Sequence, residues 1–449
     1  MTEPNVRQLS PEVEALSSVW PMLSALMGGT RAMRAAGKIY LPQFPNEDDA
    51  AYRLRLAGAT LHPVFKRTVR VDAARPFAKP PVVEDVPDRV LPWLGDVDLQ
   101  GSSLAAFGLS LMTSCLSHGL SGVLVDGPKV EGVVTAADEV RAGLRPYLSA
   151  YAAQNILGWK LGRLSQGYGL TQVRLLESVA EDDGAFGSKT VEQVRVLTPG
   201  AWAVWRATGL NDEWAVVDEG ETRLEIIPFV FFYGIRTGFG CGEPPLLELA
   251  YQNIEHYQSS SDQQNIEHVA RVPILFAKKF GDAELTIGAG TAASSDEPDA
   301  ELSYVEHSGA AIKSGADSIL RLEARMRATG AELIQQTPDR TTATQVDSEG
   351  EASQSLLQQI TGVFEDSLTA CVNLMALWAG EPQTACVKLF KAFGPSSDSE
   401  PSVLAAAREG GTISARTHFD ELKRRNIIAP ERGWDEELER MGAEQAETK

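Results

Sequence analysis

Length and composition place the chain among soluble globular proteins. Its 449 residues are 43% hydrophobic and 23% charged, which excludes wholesale disorder and predicts about two to four domains. The 61 acidic residues outnumber the 41 lysines and arginines, so the formal net charge is −20. This balance argues against a protein that grips duplex DNA or an anionic membrane, because a negative surface repels both. No run approaches the ~18 apolar residues of a membrane span and the N-terminus has no signal-peptide pattern, so we expect a soluble protein made in a cytoplasm.

The N-terminal part of the chain is predicted to be helical. Helical spacing and capping residues predict helices over Val13–Met27, over Arg31–Ala36 with Thr30 as the cap, over Glu47–Leu56, and over Ser102–His118 with Ser102 or Ser103 as the cap. Gly119 and Gly122 then lead into a strand at Val123–Val125.

One stretch near the N-terminus is locally basic. Val64–Phe77 carries Lys66, Arg67, Arg70 and Arg75 between apolar residues. We interpret it as a solvated face, or as an interface with acidic neighbours, in preference to a nucleic-acid patch.

The pattern changes between Tyr147 and Tyr233, where short β-rich runs alternate with turn clusters such as 181–184. This alternation is typical of an antiparallel sheet and predicts a separate β-rich module. The predicted strands are Ile156–Leu161, Gln172–Leu176, Val191–Leu197, Trp202–Trp205, Trp214–Val217 and Ile226–Phe232.

A long helix is predicted after Pro244-Pro245, from Leu246 to about Ala270. At 1.5 Å per residue it would be nearly 40 Å long. Its second half, Gln258–Asn265, is polar on every face, and a helix that is polar all round is not expected to bury itself in the core of its own monomer. We therefore expect this segment to project from the fold and to contact neighbours or line a wet space, unless it is a loop.

The pentapeptide Gln-Asn-Ile-Glu-His occurs twice in this helix, at Gln252–His256 and Gln264–His268. Positions twelve apart on a helix point about 120° from each other and lie about 18 Å apart along the axis. The two Glu-His pairs therefore cannot share one metal ion within a chain, and the sequence leaves open whether either pair binds an ion.

The remaining elements are mixed. We predict strands at Pro273–Ala277, Leu302–Val305, Glu332–Gln336 and Val387–Phe390, helices over Ala310–Thr329 and Val346–Ala379, and C-terminal helices over Val403–Glu409, Ala415–Arg425 and Asp435–Gln445. The segment Thr337–Thr344 has no apolar anchor and is predicted to be a mobile loop.

No catalytic motif is present, so we predict that the protein is not an enzyme, with no catalytic, cofactor-binding or metal-binding residues. The chain has neither a phosphate-binding GxxxxGK[ST] loop nor a GxSxG nucleophile elbow, and the glycines at 288–290 do not follow the strand that a dinucleotide site needs. The four cysteines, Cys115, Cys241, Cys371 and Cys386, form no CxxC pair. Cys115 and Cys371 lie in apolar stretches and are predicted to be small buried hydrophobes.

The order of these elements, together with several stretches of sequence, resembles the portal (connector) proteins of tailed bacteriophages, in particular a portal-like family long known only as phage proteins of unknown function. The stretches that carry the resemblance are Trp20–Ala36, Ile227–Tyr233, Pro244–Asp262, His268–Leu275 and Tyr304–Ile312.

The resemblance implies an α+β portal-like fold with wing, stem, clip and crown regions, assembled as a ring of about twelve copies. The implied boundaries are 1–165 for an N-terminal wing, 166–243 for a β-rich module that includes the clip, 244–271 for the stem helix, 272–394 for wing strands with a tunnel loop (337–345) and a long helix (346–379), and 395–449 for a helical crown. The implied channel or stem residues are Tyr257, Gln258, Ser259, Ser260, Ser261, Asp262, Gln263, Gln264 and Asn265, and the implied tunnel-loop residues are Thr337, Asp339, Arg340, Thr341, Thr342 and Thr344.

By the same resemblance, the ring would sit in the virion at one capsid vertex, as a channel for genome packaging and ejection. Its expected partners are its own copies, the terminase large subunit, head-to-tail adaptors, the major capsid or scaffolding protein, and double-stranded DNA that passes without sequence-specific binding; no membrane and no cofactor is expected. About twelve copies at −20 would give the ring roughly −240, a wall along which DNA slides instead of sticking.

Two other hypotheses remain open at this point. The chain could be another ring-forming virion protein, such as an adaptor or minor head protein. A terminase large-subunit gene that does not lie immediately upstream would favour this hypothesis. It could also be an acidic hydrolase with its site in the β-rich module, which a substrate screen would detect.

Overall fold

The computed structural model divides the chain into two units, Met1–Lys391 and Ala392–Lys449. Helices and antiparallel sheets are mixed, which confirms the predicted α+β class. The structure describes residues 5–127, 144–164, 167–184, 186–208, 213–222, 224–270, 274–278, 299–305, 309–334, 355–391, 400–424, 428, 433–434 and 437–440.

The helices and strands are numbered here in chain order. The helices are α1 (Pro11–Ser17), α2 (Trp20–Gly28), α3 (Thr30–Ala36), α4 (Asp49–Gly58), α5 (Val64–Ala74), α6 (Leu104–His118), α7 (Leu247–Ala270), α8 (Ala310–Ala331), α9 (Leu356–Trp378), α10 (Glu400–Glu409) and α11 (Ala415–Arg424). The strands are β1 (Val82–Glu84), β2 (Leu120–Asp126), β3 (Tyr147–Ala152), β4 (Ile156–Leu164), β5 (Gly167–Asp183), β6 (Gly187–Thr198), β7 (Ala201–Thr208), β8 (Glu213–Glu221), β9 (Phe229–Tyr233), β10 (Ile235–Gly238), β11 (Cys241–Glu243), β12 (Ile274–Lys278), β13 (Glu301–Val305) and β14 (Cys386–Lys388).

Two predictions for the N-terminal helices were wrong. The single helix over Val13–Met27 is split into α1 and α2, because Pro21 has no amide hydrogen and fits only the first turn of a helix, so α2 begins at Trp20. Thr30 does not cap α3 with its side chain. Its hydroxyl instead accepts a hydrogen bond from the Leu61 amide at 3.1 Å, which ties α3 to the segment after α4.

Helix α6 begins as predicted, with the Ser103 hydroxyl accepting a hydrogen bond from the Ala106 amide. It ends at Gly119, whose φ of 83° is in the left-handed region. A Cβ at this position would lie 2.6 Å from the Glu243 carbonyl carbon, so only glycine fits the turn from α6 into β2.

The core of the first unit lies around the sheet β3-β2-β9, whose strands pair antiparallel. Helix α9 packs on this sheet: Ser367 Oγ donates to the Phe231 carbonyl at 3.0 Å, and Trp378 Nε1 donates to the Val125 carbonyl at 3.0 Å. Among the described helices, α9 is long and apolar enough to cross a membrane, but its stripe of Phe364, Leu368 and Met375 is fully buried inside the chain. Helix α9 is therefore the core helix of the first unit.

Strands β4 to β8 form one antiparallel five-stranded meander, which confirms the predicted antiparallel pairing. The expectation of short strands was wrong for β5 and β6, which have 17 and 12 residues. The sixth predicted strand is not part of the meander: β9 pairs with β2 instead. Arg195 joins the two sheets, because its Nη1 lies 2.6 Å from Asp126 Oδ2 at the end of β2. The tip of the β5–β6 hairpin carries Phe186, whose side chain is entirely exposed.

The structure bears on three further sequence predictions. Cys115 and Cys371 are fully buried, as predicted, and burial raises the pKa of both thiols. Residues 332–334, predicted to begin a strand, form a turn after α8. In the second unit, α10 and α11 confirm the first two predicted helices, while most of the third predicted helix, Asp435–Gln445, lies outside the described residues.

His118 makes the stability of the first unit pH-dependent. Its Nε2 lies 3.0 Å from Ser24 Oγ and its Nδ1 lies 2.8 Å from Ser117 Oγ, and burial lowers the pKa of this imidazole from 6.5 to about 4. The folded state therefore binds fewer protons than the unfolded state between these pH values. We expect the free energy of unfolding to fall by roughly 2 kcal/mol from pH 7 to pH 5 on this account.

The measurement is urea unfolding at both pH values for the wild type and for His118→Gln. The variant should lose this part of the pH dependence, whereas His268→Gln, which removes an exposed histidine, should keep it. An identical pH dependence in His118→Gln and the wild type would show that His118 is not the group responsible.

Candidate functional site: the helical hairpin

Helices α7 and α8, joined by strands β12 and β13, form an antiparallel unit that we call the helical hairpin. Gln252 Nε2 donates to Thr329 Oγ1 at 3.2 Å near one end, and Gln263 Nε2 donates to the Ile312 carbonyl at 2.9 Å near the other. The helices have 24 and 22 residues, or about 36 and 33 Å at 1.5 Å per residue. Strands β12 and β13, which follow α7 in the chain, pair antiparallel. Ile274 lies opposite Val305 at one end of the pair, and Lys278 lies opposite Glu301 at the other.

The expectation that the polar half of α7 cannot bury itself in its own monomer was wrong. Ser261 and Gln263 of this half are 3% and 8% exposed, and α7 contacts α2, α4, α5 and α8 of the same chain. Gln258 Nε2 donates to the Tyr40 carbonyl at 3.0 Å and Gln263 Nε2 to the Ile312 carbonyl at 2.9 Å, whereas Tyr257 Oη and Ser261 Oγ have no hydrogen-bond partner among the described residues. Hydrophobic periodicity alone could not predict this burial, because it shows which residues are polar and not which of them have hydrogen-bond partners elsewhere in the chain.

An ion pair on α4 extends this polar packing. Arg55 and Glu47 have side chains that are 4% and 7% exposed, with Nη2 and Oε2 2.7 Å apart, and hydrogen bonding to Arg55 lowers the pKa of Glu47. Asp262 of α7 lies 3.7 Å from Arg55 Nη1. Burial raises the pKa of Asp262, whereas Arg55 lowers it.

The predicted channel residues therefore do not share one environment. Three of them, Tyr257, Ser261 and Gln263, face the interior of their own chain. Gln258, Ser259, Ser260 and Asp262 are partly covered, and Gln264 and Asn265 are exposed. Burial also raises the pKa of Tyr257. All of the predicted tunnel-loop residues, Thr337, Asp339, Arg340, Thr341, Thr342 and Thr344, lie outside the described residues, as does the start of the predicted long helix before residue 355.

The two copies of the pentapeptide point in different directions, as the helical geometry predicts. Asn253 and His256 of the first copy are 0% and 4% exposed, whereas Asn265 and His268 of the second are exposed. Asn253 Oδ1 accepts from the Phe65 amide at 2.9 Å, and its Nδ2 donates to the His62 carbonyl at 2.9 Å. Since α5 has no side-chain cap of its own, Asn253 supplies the cap from α7.

His256 brings together residues that sequence reasoning did not select. Its Nε2 lies 3.3 Å from Glu323 Oε1 of α8, and the His62 ring lies at 5.2 Å between centroids. His62 Nδ1 is 3.9 Å from the same Glu323 oxygen. No local signal could have linked these three residues, because they are separated by 194 and 67 positions in the chain.

On the hairpin, α8 exposes more cations than acids, whereas α7 exposes Glu248 and Glu255, and large apolar side chains are scattered over both helices. Exposed cations on α8 are Lys313, Arg321, Arg325 and Arg327, and Arg325 lies 3.4 Å from Glu255 of α7. Leu320 of α8 is 60% exposed, and Tyr251 and Ile266 of α7 are 48% and 41% exposed. In a chain with net charge −20, a basic helix of this kind is a local reversal of sign.

Comparisons with known proteins match the hairpin region most specifically. Residues 245–379 match a family described only as a domain of unknown function, DUF4055. No curated protein matches the chain.

Solved structures give weak likenesses. A chain from the neck of an empty GTA particle computed with C6 symmetry is 16% identical, with a TM-score of 0.44, over 80% of this chain and 90% of that one. One from the neck of a native GTA particle computed with C12 symmetry is 14% identical, with a TM-score of 0.40, over 86% and 98%. One from the virion of a native gene transfer agent is also 14% identical, with a TM-score of 0.37, over 91% and 98%. These scores are too low to assign a fold or a function to this chain.

The role of Asn253 as an interhelical cap can be measured. In Asn253→Ala, the Phe65 amide and the His62 carbonyl lose their buried partner, so we expect the free energy of unfolding to fall by about 2–4 kcal/mol. Asn265→Ala is the matched control from the second pentapeptide copy and should change stability by less than about 0.5 kcal/mol. Equal stability losses in the two variants, measured by urea unfolding, would contradict the assignment.

Proposed function

We propose that the protein is the portal of a tailed phage or phage-like particle: a ring-shaped channel through which genomic DNA enters and leaves the capsid. The role is structural and not catalytic, and the protein acts in the virion at the portal vertex. The stretches of sequence that resemble portals include both ends of α7, and the matched family segment spans the whole hairpin and α9.

The observation that carries this proposal is the helical hairpin. It is a rod over 30 Å long that has one side held on the N-terminal helices and one side exposed, with a β-ribbon beyond its far end. A ring joins two different patches of neighbouring copies, so each copy needs complementary surfaces. The basic outer side of α8, within a chain of net charge −20, is suited to contact an acidic patch of the next copy.

The negative charge expected of the assembled ring supports the proposed channel function. About twelve copies would carry roughly −240, so the wall would repel the DNA backbone and permit sliding. We place the exposed and partly covered residues of α7 nearer to the channel than Tyr257, Ser261 and Gln263, whose side chains are buried in the monomer. The proposed tunnel loop comprises residues 337–345.

Ring assembly tests the proposal directly. Purified wild type should form large rings with a central channel in negative-stain images, and a monomer at every concentration would contradict it. Charge reversal of two exposed α8 residues, Lys313→Glu with Arg321→Glu, should abolish rings and leave folded monomers, as measured by light scattering after size exclusion. The control Lys160→Glu reverses an exposed cation on β4 and should still form rings.

The clip, which would dock the terminase motor and later the adaptors, is proposed within residues 166–243. The exposed Phe186 at the tip of the β5–β6 hairpin fits this role, because aromatic side chains are frequent anchors of protein interfaces. A second exposed aromatic, Phe276 on β12, lies at the end of the helical hairpin and offers a matched comparison.

Terminase binding distinguishes the two β-rich positions. In assembled rings, Phe186→Ser should weaken binding of the terminase large subunit at least about tenfold, and Phe276→Ser should leave it unchanged. The reverse result would move the clip from the meander to the β12–β13 ribbon. The measurement is surface-immobilised rings titrated with the terminase subunit.

A further inference from the structure

Three metal-ligating side chains from three separate elements converge beside α7. His62 precedes α5, His256 lies on α7, and Glu323 lies on α8. One ligand atom from each residue can be chosen so that all three lie within 4.8 Å of one another. The group is independent of the exposed surfaces on which ring assembly depends.

Two of the three separations approach those of a metal centre, and the three atoms lie within 4.8 Å of one another. Ligands about 2.0–2.1 Å from a tetrahedral zinc ion lie about 3.3 Å from each other. His256 Nε2 and Glu323 Oε1 already have this separation of 3.3 Å, and His62 Nδ1 lies 3.9 Å from the same oxygen. A small rotation of His62, whose side chain is 39% exposed, would complete the approach.

The donor set selects the class of metal. Two imidazoles and one carboxylate are suited to a divalent transition-metal ion such as Zn²⁺, whereas Ca²⁺ and Mg²⁺ prefer oxygen ligands throughout. With three protein ligands, a solvent molecule would fill the fourth position, on the side where His62 is exposed.

Both imidazoles offer a ring nitrogen to the cluster. His256 is 4% exposed, and its Nδ1 has no hydrogen-bond partner among the described residues, so no other contact fixes its tautomer. Binding a metal ion through the Nε2 lone pair requires the tautomer with its proton on Nδ1. The charged groups that face His62 are Arg67 of α5, and Glu323 and Arg327 of α8.

The backbone of the cluster is held in place. Asn253 Nδ2 holds the His62 carbonyl at 2.9 Å, one turn before His256 on the same helix. This contact sets the position of the His62 loop relative to α7 before any ion binds, and preorganisation of this kind raises metal affinity.

We propose that His62, His256 and Glu323 form a structural transition-metal site that joins the loop before α5 to both helices of the hairpin. The bound ion replaces the His256–Glu323 hydrogen bond with two coordinate bonds and adds a third to His62. It cross-links segments that lie far apart in the sequence, so it stabilises the folded hairpin by mass action.

Cobalt(II) and zinc binding to the full-length, tag-free protein test the site. Wild type should bind one ion per chain, show the visible absorption of four-coordinate cobalt, and melt at a higher temperature with Zn²⁺ than after chelation. His62→Gln changes a partly exposed side chain and keeps the backbone carbonyl that Asn253 binds, so it should fold. It should lose the cobalt absorption and weaken zinc binding by at least about 100-fold, because loss of a ligand exceeds the loss of an outer-shell partner.

His268→Gln is the matched control, because it removes the equivalent histidine of the second pentapeptide copy on the exposed face of the same helix. It should bind zinc as the wild type does. The proposal is overturned if the wild type shows neither cobalt absorption nor a zinc-dependent melting shift, or if His62→Gln and His268→Gln bind zinc equally. Zinc binding by monomers that form no rings would support the metal site and count against the portal alone, so the two proposals can fail separately.

Discussion

The fold depends on the hydrogen bonding of α7 to its own chain. A helix with so few apolar residues in its second half gains little from burial, yet Gln263 is buried and Gln258 is partly covered. Amide side chains make this possible. Gln258, Gln263 and Asn253 each reach a backbone group of another segment, so polar atoms removed from water find new partners. The Gln258 and Asn253 bonds attach one side of the hairpin to the N-terminal part of the chain, and the Gln263 bond joins its two helices; the other side is exposed.

Local sequence patterns predicted those elements whose signals are local. The cap at Ser103, the stop at Gly119 and the antiparallel meander all follow from neighbouring residues. The relation between the two pentapeptide copies was also predictable, because helix periodicity alone fixes their directions. By contrast, periodicity gave the wrong environment for Gln258–Asn265, since burial of a polar side chain depends on partners elsewhere in the chain.

The candidate site was less accessible to sequence reasoning for the same reason. Asn253 caps α5 across 188 positions, and His62 meets His256 across 194. Neither pairing leaves a spacing motif of the kind that identifies zinc fingers or phosphate loops. The resemblance to portals did not indicate which side chains of α7 face inward.

The two copies of the pentapeptide have the same five residues but lie in different surroundings, so natural selection acts on them differently. In the first copy, Asn253 and His256 have binding partners on other elements, so a change there disturbs several segments at once. In the second copy, the same residue types face outward, and their replacement is restricted only by whatever surface they meet. Among relatives of this chain, evolutionary drift should therefore erase the repeat from its second copy first, and a lineage that keeps both copies intact would reveal a contact on the outer face of the helix.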